Sequence, residues 1–175
     1  MMIRKATLED ARAIGEVHLA TWNTTYRGLV PGEFLDTFNV DEREETWKNR
    51  LGPNLQQIVY VAEDEGKIVG FASGGKNRGQ DEHYTAEIYA LYVLQSHQRH
   101  GLGRRLIAAV ARELQQQGHQ HMLIWVLSDN PIGRPFYERI GGVWIREKLI
   151  NFGVNLMESA YGYNIEEYLA KFGGE

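Results

Sequence analysis

The sequence contains no cysteine among its 175 residues. Disulfide bonds, cysteine-based metal sites and a cysteine nucleophile are therefore excluded. Long apolar runs are also missing, since none approaches the roughly 18 consecutive residues that a membrane-spanning helix needs. The N-terminal residues 1–5 lack the apolar core of a signal peptide. From these absences we expect a cytoplasmic protein that does not associate with membranes.

An excess of positive charge is missing as well. The chain has 19 Lys and Arg against 23 Asp and Glu, which gives a net charge of −4. Because nucleic-acid-binding proteins usually present a net basic face, no nucleic-acid partner is expected. Apolar residues make up 43% and charged residues 24%, as in an ordinary globular protein. The length predicts a single domain over residues 1–175.

The spacing of apolar residues predicts an α/β protein with the element order β α α β β β α β α β β. Strands are predicted at 3–6, 58–62, 67–74, 84–94, 122–127, 143–150 and 154–163. Helices are predicted at 7–22, 41–51, 102–117 and 131–140, with a short terminal helix at 165–172. Residues 24–38 are predicted to be a loop with one short helix, because Gly28, Pro31 and Gly32 interrupt any longer pattern.

A glycine-containing loop at 98–105 separates a predicted strand from a predicted helix. The first amides of a helix have no partner within the helix, and the positive end of the helix dipole lies behind them. Such a turn binds anions readily. Gly101 and Gly103 are expected to let a ligand approach the backbone closely. Positive charge surrounds the loop at Arg99, Arg104 and Arg105, so a phosphate-bearing ligand is predicted.

Three segments of the chain together resemble the GCN5-related N-acetyltransferase superfamily. Residues 98–103, Gln-Arg-His-Gly-Leu-Gly, match the acetyl-CoA signature Gln/Arg-x-x-Gly-x-Gly/Ala of that family. Residues 87–93 resemble the strand that precedes the signature, and residues 130–141 resemble the later asparagine and helix-borne tyrosine. The resemblance covers about residues 3–163. It implies a mixed, mostly antiparallel sheet of six to seven strands, splayed between strands 4 and 5, with about four helices.

The resemblance also implies acetyl-CoA as cosubstrate, without a metal. The pyrophosphate would rest on the backbone amides of residues 99–104, and Leu91 and Val93 would offer backbone groups to the pantetheine arm. Asn130 would contact the pantetheine, cap the helix that follows, or do both. The cofactor-binding residues implied are Leu91, Val93, Gln98, Arg99, His100, Gly101, Leu102, Gly103, Arg104, Asn130 and Tyr137.

Two residues are candidates for the chemistry. Tyr137 corresponds to the tyrosine that, in the family, donates a proton to the departing thiolate, and its neighbour Phe136 is expected to face away from the site. Glu87 corresponds to a glutamate that serves as general base in one branch of the family. Glu87 lies six residues before Val93, so both side chains are expected on one face of the strand. Binding of a cationic substrate and pairing with a nearby arginine remain alternative roles for Glu87.

The acceptor side of the predicted site is less defined. Trp22 and Tyr26, placed after the first helix, are expected to form one wall of the substrate site, although core packing is an alternative for Trp22. Gly142 stands where the family usually has an aromatic residue, which is expected to leave the core less filled. The acidic net charge mildly favours a cationic acceptor.

The function expected from the resemblance is acetyl-CoA-dependent acetylation of a primary amine by direct transfer in a ternary complex. The acceptor would be a small molecule or a protein or peptide amine, and a homodimer is the family-level expectation. A non-catalytic CoA-binding sensor is the alternative function.

Overall fold

The computed structural model describes residues 1–53, 57–151 and 153–174. The strands are β1 (Met2–Lys5), β2 (Ile58–Asp64), β3 (Lys67–Lys76), β4 (Ala86–Val93), β5 (His121–Leu127), β6 (Val143–Asn151) and β7 (Asn155–Asn164). The helices within the described residues are α1 (Ala11–Tyr26), α2 (Gly32–Leu35), α3 (Val40–Leu51), α4 (Leu102–Gln116), α5 (Gly133–Arg139) and α6 (Ile165–Phe172). No helix in this part of the chain is both long and apolar enough to cross a membrane.

All seven strands form one mixed sheet in the order β1-β2-β3-β4-β5-β7-β6. Neighbouring strands are antiparallel except β4 and β5, which run parallel. A parallel pair needs a crossover connection, and α4 provides it. The mixed, mostly antiparallel α/β sheet predicted above is therefore confirmed.

The sheet opens along the pairing of β4 with β5. Their register runs from the pair Ala86 and Met122 to the pair Ile88 and Ile124. Both strands continue beyond that point, β4 to Val93 and β5 to Leu127. The two strands therefore diverge after Ile88, as the predicted splay between strands 4 and 5 required.

A β-bulge lies in β4 at the start of this divergence. Ile88 pairs with Gly74 of β3 while Ala90 pairs with Ser73, so Tyr89 is an extra residue. A bulge shifts the alternation of side chains along its strand by one position. Ile88 before the bulge and Val93 after it both pack towards α4, and Glu87 therefore faces the opposite side. The expectation that Glu87 and Val93 share a face is wrong for this reason.

Separate apolar layers cover the two faces of the sheet. On one face α4 buries an amphipathic stripe that includes Leu106, Val110 and Leu114. On the other face α1 and α3 pack around Trp47 and Phe71. Ala90 and Tyr92 of β4 contact this second layer, whereas Leu91 and Val93 contact the first. Beyond the bulge, the side chains of β4 therefore alternate between the two layers.

The first helix extends further than predicted. A single 3-10 turn, Leu8–Asp10, begins it, and a capping box closes this start, with the backbone amide of Thr7 donating to Asp10 Oδ2 over 2.7 Å. The helix then continues to Tyr26, since neither glycine nor proline occurs between Trp22 and Gly28. Trp22 and Tyr26 thus lie on its last turns rather than after it, which sets them against the sheet.

Candidate active site

A cleft of about 800 Å³ occupies the gap between the diverging ends of β4 and β5. Its walls also include the start of α4, the start of α5 and the end of α1. This size suits a small-molecule or cofactor site. Of the site residues predicted from the sequence, the cleft is lined by Tyr26, Leu91, Val93, Gln98, Arg99, Gly101, Leu102, Gly103, Arg104, Asn130 and Tyr137. Trp22, Glu87 and His100 lie outside this lining.

The loop before α4 has the backbone of an anion site. Arg99 and Gly101 have φ values of 65° and 79°, and Gly101 is the residue before the helix. The first helical hydrogen bond runs from the Arg105 amide to the Gly101 carbonyl over 3.2 Å. The amides of residues 102–104 precede that bond, and the first amides of a helix have no carbonyl partner within the helix. Left-handed residues interspersed in such a loop form an anion-binding concavity.

Gly103 lines the cleft and also packs closely against α5. A Cβ atom at this position would lie 2.9 Å from Cζ of Phe136. Gly103 is therefore required for close packing of α4 against α5. Phe136 also lines the cleft beside Tyr137, so the expectation that only one of the two faces the site is wrong. Successive residues on a helix are about 100° apart, and both can border a wide cleft.

The open edge of β4 points into the cleft. The Leu94 amide bonds to Val69 of the neighbouring β3 over 2.9 Å, and backbone groups alternate between the two edges of a strand. The backbone groups of Leu91 and Val93 therefore face the gap. Gln98 Nε2 donates to the Val93 carbonyl over 3.0 Å, so this residue ties the anion loop to the end of the strand.

Asn130 holds the start of α5. Its Oδ1 accepts from the amides of Ile132 and Gly133 over 3.0 and 2.8 Å, which is the capping role considered above. The side chain is 5% exposed and borders the cleft. Its amide nitrogen takes no part in these two bonds, so capping is compatible with a ligand contact.

Tyr137 lies on α5 with its ring buried against Phe136 and Tyr161. Burial, and secondarily the nearby Tyr92, raises the pKa of the Tyr137 phenol well above its ordinary value. The Tyr163 hydroxyl donates to the Tyr137 backbone carbonyl over 2.9 Å. The phenol is thus a buried, protonated group bordering the cleft, and the backbone that carries it is anchored to β7.

Glu87 is 2% exposed and forms an ion pair with Arg78. Its Oε2 accepts from the Arg78 amide over 3.1 Å, and its Oε1 accepts from the guanidinium Nε over 3.1 Å and from Nη2. The pairing with a nearby arginine, one of the alternatives for Glu87, is present. Sequence reasoning missed Arg78 because it lies in a polar loop, nine residues away across a turn.

A set of aromatic hydroxyl and indole groups forms the wall opposite Tyr137. Trp22 Nε1 donates to the Tyr92 hydroxyl over 2.8 Å, and the Tyr26 hydroxyl is also hydrogen-bonded to Tyr92. Trp22 therefore supports the wall from behind while Tyr26 and Tyr92 border the cleft. Tyr92 was not predicted, although it lies on the strand that carried the resemblance. Among the described residues, no group of three His, Asp or Glu side chains could hold a metal ion.

The cleft therefore combines an anion-binding loop, an open strand edge and a buried phenol, which fits a phosphate-bearing ligand with an extended arm. Comparison with known proteins agrees with this geometry. YuaI, an N-acetyltransferase of Bacillus subtilis, is 36% identical over 162 residues, which are 92% of this chain and 91% of the relative. The L-methionine sulfoximine/L-methionine sulfone acetyltransferase of Salmonella typhimurium is 30% identical over 81% of this chain and 79% of its own length.

Solved structures are similar over nearly the whole chain. The structure of YncA from Salmonella typhimurium with its cofactor acetyl-CoA has a TM-score of 0.68 and 27% identity, and the match covers 94% of each chain. The model of the Acetyltransferase (GNAT) family matches residues 19–142, which include the anion loop, β4, β5 and Tyr137. The resemblance inferred from three sequence segments is thus confirmed, and the chain belongs to the GNAT family of N-acetyltransferases.

Proposed function

We propose that this N-acetyltransferase transfers the acetyl group of acetyl-CoA directly to a primary amine held in the same cleft. The proposal rests on the observation that a single cleft borders the start of α4, the open edge of β4 and Tyr137. Holding both reactants in one site removes much of the entropic barrier to their reaction. The absence of cysteine supports direct transfer, because no cysteinyl acyl-enzyme can form.

Different residues of the cleft are proposed to bind different parts of acetyl-CoA, the acetyl donor. The amides of residues 102–104 would hold the pyrophosphate, and Leu91 and Val93 would bond to the pantetheine arm, with Asn130 at the opposite wall. Bound acetyl-CoA supplies an activated thioester. Arg99 is exposed at the mouth of the cleft, where its charge can add to the phosphate contact.

Proton transfer needs a donor for the leaving thiolate and an acceptor for the amine proton. Tyr137 is proposed as the donor, since its raised pKa keeps the phenol protonated and the cleft exposes it to a ligand. Glu87 is proposed as the base, acting through water because its carboxylate is turned towards Arg78 and away from the cleft lining.

The proposed acceptor is a small amine. The name of the Salmonella relative gives amino-acid derivatives as its substrates. The wall formed by Trp22, Tyr26 and Tyr92 supports a compact acceptor, because Tyr26 and Tyr92 limit the cleft on one side.

Release of free thiol from acetyl-CoA across a panel of amines tests the proposal. We expect at least one small primary amine to raise thiol release well above background hydrolysis, with the N-acetylated amine as product. Calorimetry with acetyl-CoA, ATP and NAD serves as the control for the donor. Binding of acetyl-CoA without turnover of any amine would instead support a CoA sensor, and binding of ATP or NAD alone would contradict the whole assignment.

A further inference from the structure

Two arginines on α3 stack on aromatic side chains beside the wall of the cleft. Arg43 and Arg50 are seven residues apart, which places them on one side of the helix, and both are half-buried. The Arg43 guanidinium lies 4.0 Å from the ring centre of Phe38 and 5.6 Å from that of Trp22. The Arg50 guanidinium lies 4.9 Å from the ring centre of Trp47. We call Arg43 and Arg50 the arginine pair.

The aromatic wall connects the arginine pair to the cleft. Trp22, which Arg43 covers, donates to the hydroxyl of Tyr92, and Tyr92 borders the cleft. His18 stacks on Tyr92 with ring centres 4.9 Å apart and meets Trp47 edge-on at 6.1 Å. The pair therefore lies beside the half of β4 that faces α1 and α3, on the side of the sheet away from α4.

Nearby carboxylates do not neutralise the pair. Among the described residues, neither guanidinium is in a salt bridge, and several carboxylates of neighbouring elements have other partners. Glu87 is paired with Arg78, and Glu158 lies 3.4 Å from Lys148. Glu44 of α3 pairs with Arg12 and Lys48, and Glu42 acts on Arg43 without forming a salt bridge.

Burial, aided by charge repulsion at Arg50 and His18, lowers the pKa values of the arginine pair and of the neighbouring His18. Burial lowers the pKa of Arg43, and burial followed by repulsion from Arg43 and Arg78 lowers the pKa of Arg50. Burial and then the same pair lower the pKa of His18 to about 3, so this histidine is neutral. A guanidinium stays protonated under these conditions. The protein thus keeps two partly desolvated guanidinium groups that stack on aromatic rings and form no salt bridge within the described ranges, so both can accept a ligand carboxylate as counter-ion.

Buried polar atoms without hydrogen-bond partners lie on the same face of the sheet as the arginine pair. In the described part of the chain, His18 Nδ1, Trp47 Nε1 and Ser73 Oγ are buried and have no hydrogen-bond partner. Most buried polar groups in folded proteins are hydrogen-bonded. Ser73 pairs with Ala90, directly after the bulge in β4. Unpartnered polar groups and the arginine pair therefore lie on the same face of the sheet, the one that α1 and α3 cover.

We propose that Arg43 and Arg50 bind a carboxylate of the acceptor, so that the acceptor is an amino acid or a close analogue. The proposal rests on the function proposed above and names the substrate class of that site. Neither arginine is among the residues that line the cleft, so the carboxylate would lie beyond Tyr92, beside the arginine pair, while the amine end extends into the cleft towards the thioester. The local charge thus predicts the opposite of the cationic acceptor that the net charge of the chain mildly favoured.

Matched acid and amide acceptors test the proposal. The wild-type protein is assayed for thiol release with L-leucine and L-leucinamide, and with L-phenylalanine and L-phenylalaninamide. Each amide keeps the size and the amine but loses the carboxylate charge. We expect kcat/KM to be at least roughly tenfold higher for the acids, the lower range of a hydrogen bond to a charged group.

Charge-removing variants locate the effect. Arg43→Met and Arg50→Met should lower kcat/KM for the acids by roughly 10- to 100-fold, chiefly through KM, and leave the amides nearly unchanged. Arg43→Lys keeps the charge and should retain most of the preference for acids. Lys48→Met, on the exposed side of the same helix, is the matched control and should behave as wild type. Thermal unfolding checks that each variant is folded.

The outcomes separate this proposal from the general function. Equal turnover of acids and amides by the wild type, or equal loss for both in the arginine variants, overturns carboxylate recognition and leaves the acetyltransferase proposal intact. Binding of acetyl-CoA with no turnover of any acceptor overturns the proposed direct transfer, and carboxylate recognition with it.

Discussion

At the scale of single residues, burial keeps the Tyr137 phenol in its neutral form, which is the form that the proposed proton donation needs. A free phenol has a pKa of about 10 and is already protonated at neutral pH. Burial on α5 raises that pKa further, because the phenolate would lose its hydration. The neutral form is the proton donor, so the raised pKa preserves the donor as the pH rises towards 10. Any alkaline fall in rate below that pH must come from another group.

Replacing Tyr137 by phenylalanine removes the proposed donor with little change in shape. We expect kcat to fall by roughly 100-fold or more, the usual worth of a positioned acid, while the dissociation constant of acetyl-CoA stays nearly the same. Thiol release measures the first quantity and calorimetry the second. Tyr161→Phe is the control, since this neighbouring hydroxyl bonds to Glu138 and Arg134 outside the cleft lining. Unchanged turnover in Tyr137→Phe would remove this residue from the donor role.

The role of Glu87 can be tested through the pH dependence of the rate. If Glu87 removes the amine proton through water, Glu87→Gln lowers the rate most at low pH, where few amines are deprotonated without help. The pH–rate profiles of wild type and variant with one good acceptor provide the measurement.

The control for Glu87 is Arg78→Met, which removes the ion-pair partner and leaves the carboxylate. A loss in Glu87→Gln that is uniform with pH and matched by Arg78→Met would show that the pair only organises the loop after β3. An unaltered profile would place the base elsewhere.

At the scale of elements, the sequence predicted those parts that depend on local patterns. The bounds of α4 and α6 agree with the prediction to within one residue, because an amphipathic stripe ended by glycine defines each helix. The bulge at Tyr89 was missed, since nothing in the strand's own composition marks an extra residue opposite β3. The arginine pair was also missed, although the spacing of Arg43, Trp47 and Arg50 places all three on one helix face.

The connection between α5 and β6 was misjudged for a related reason. Gly142 was expected to leave the core less filled, but the ring of Tyr163 occupies the space beside it. A Cβ atom at Gly142 would lie 2.5 Å from the Tyr163 hydroxyl and 2.8 Å from the Tyr137 carbonyl. The tyrosine that replaces the missing aromatic residue comes from β7, which no local pattern could show. Gly142 therefore affects the backbone that carries the proposed proton donor.

Gly142→Ala should consequently affect both stability and catalysis. We expect overpacking to reduce the free energy of unfolding by about 1–3 kcal/mol and to lower kcat, because α5 must move to relieve the contacts. Urea unfolding and thiol release measure the two effects. Gly32→Ala is the matched control, since a Cβ atom there meets nothing within 4 Å. A variant as stable and active as wild type would show that the connection is not tightly packed.

At the scale of the whole molecule, the sheet consists of two parts with little pairing between them. Strands β1 to β4 form one antiparallel part and β5, β7 and β6 form the other, and the register between β4 and β5 covers Ala86 to Ile88 on the β4 side. The split exposes strand edges that most proteins cover. A bound ligand can form hydrogen bonds with these unpaired strand edges. Binding of acetyl-CoA is therefore expected to make the molecule more rigid.

Hydrogen exchange can test whether the donor completes the sheet. The open edge of β4 faces the cleft at Leu91 and Val93, so their amides should exchange much more slowly in saturating acetyl-CoA than in the free protein. At 100 times the dissociation constant, the ligand should also stabilise the whole fold by about 2.7 kcal/mol. The amides of β6, at the far edge of the sheet, provide the control for this local effect. Protection of residues 99–104 without protection of Leu91 and Val93 would show that the pyrophosphate binds as proposed while the arm follows another path.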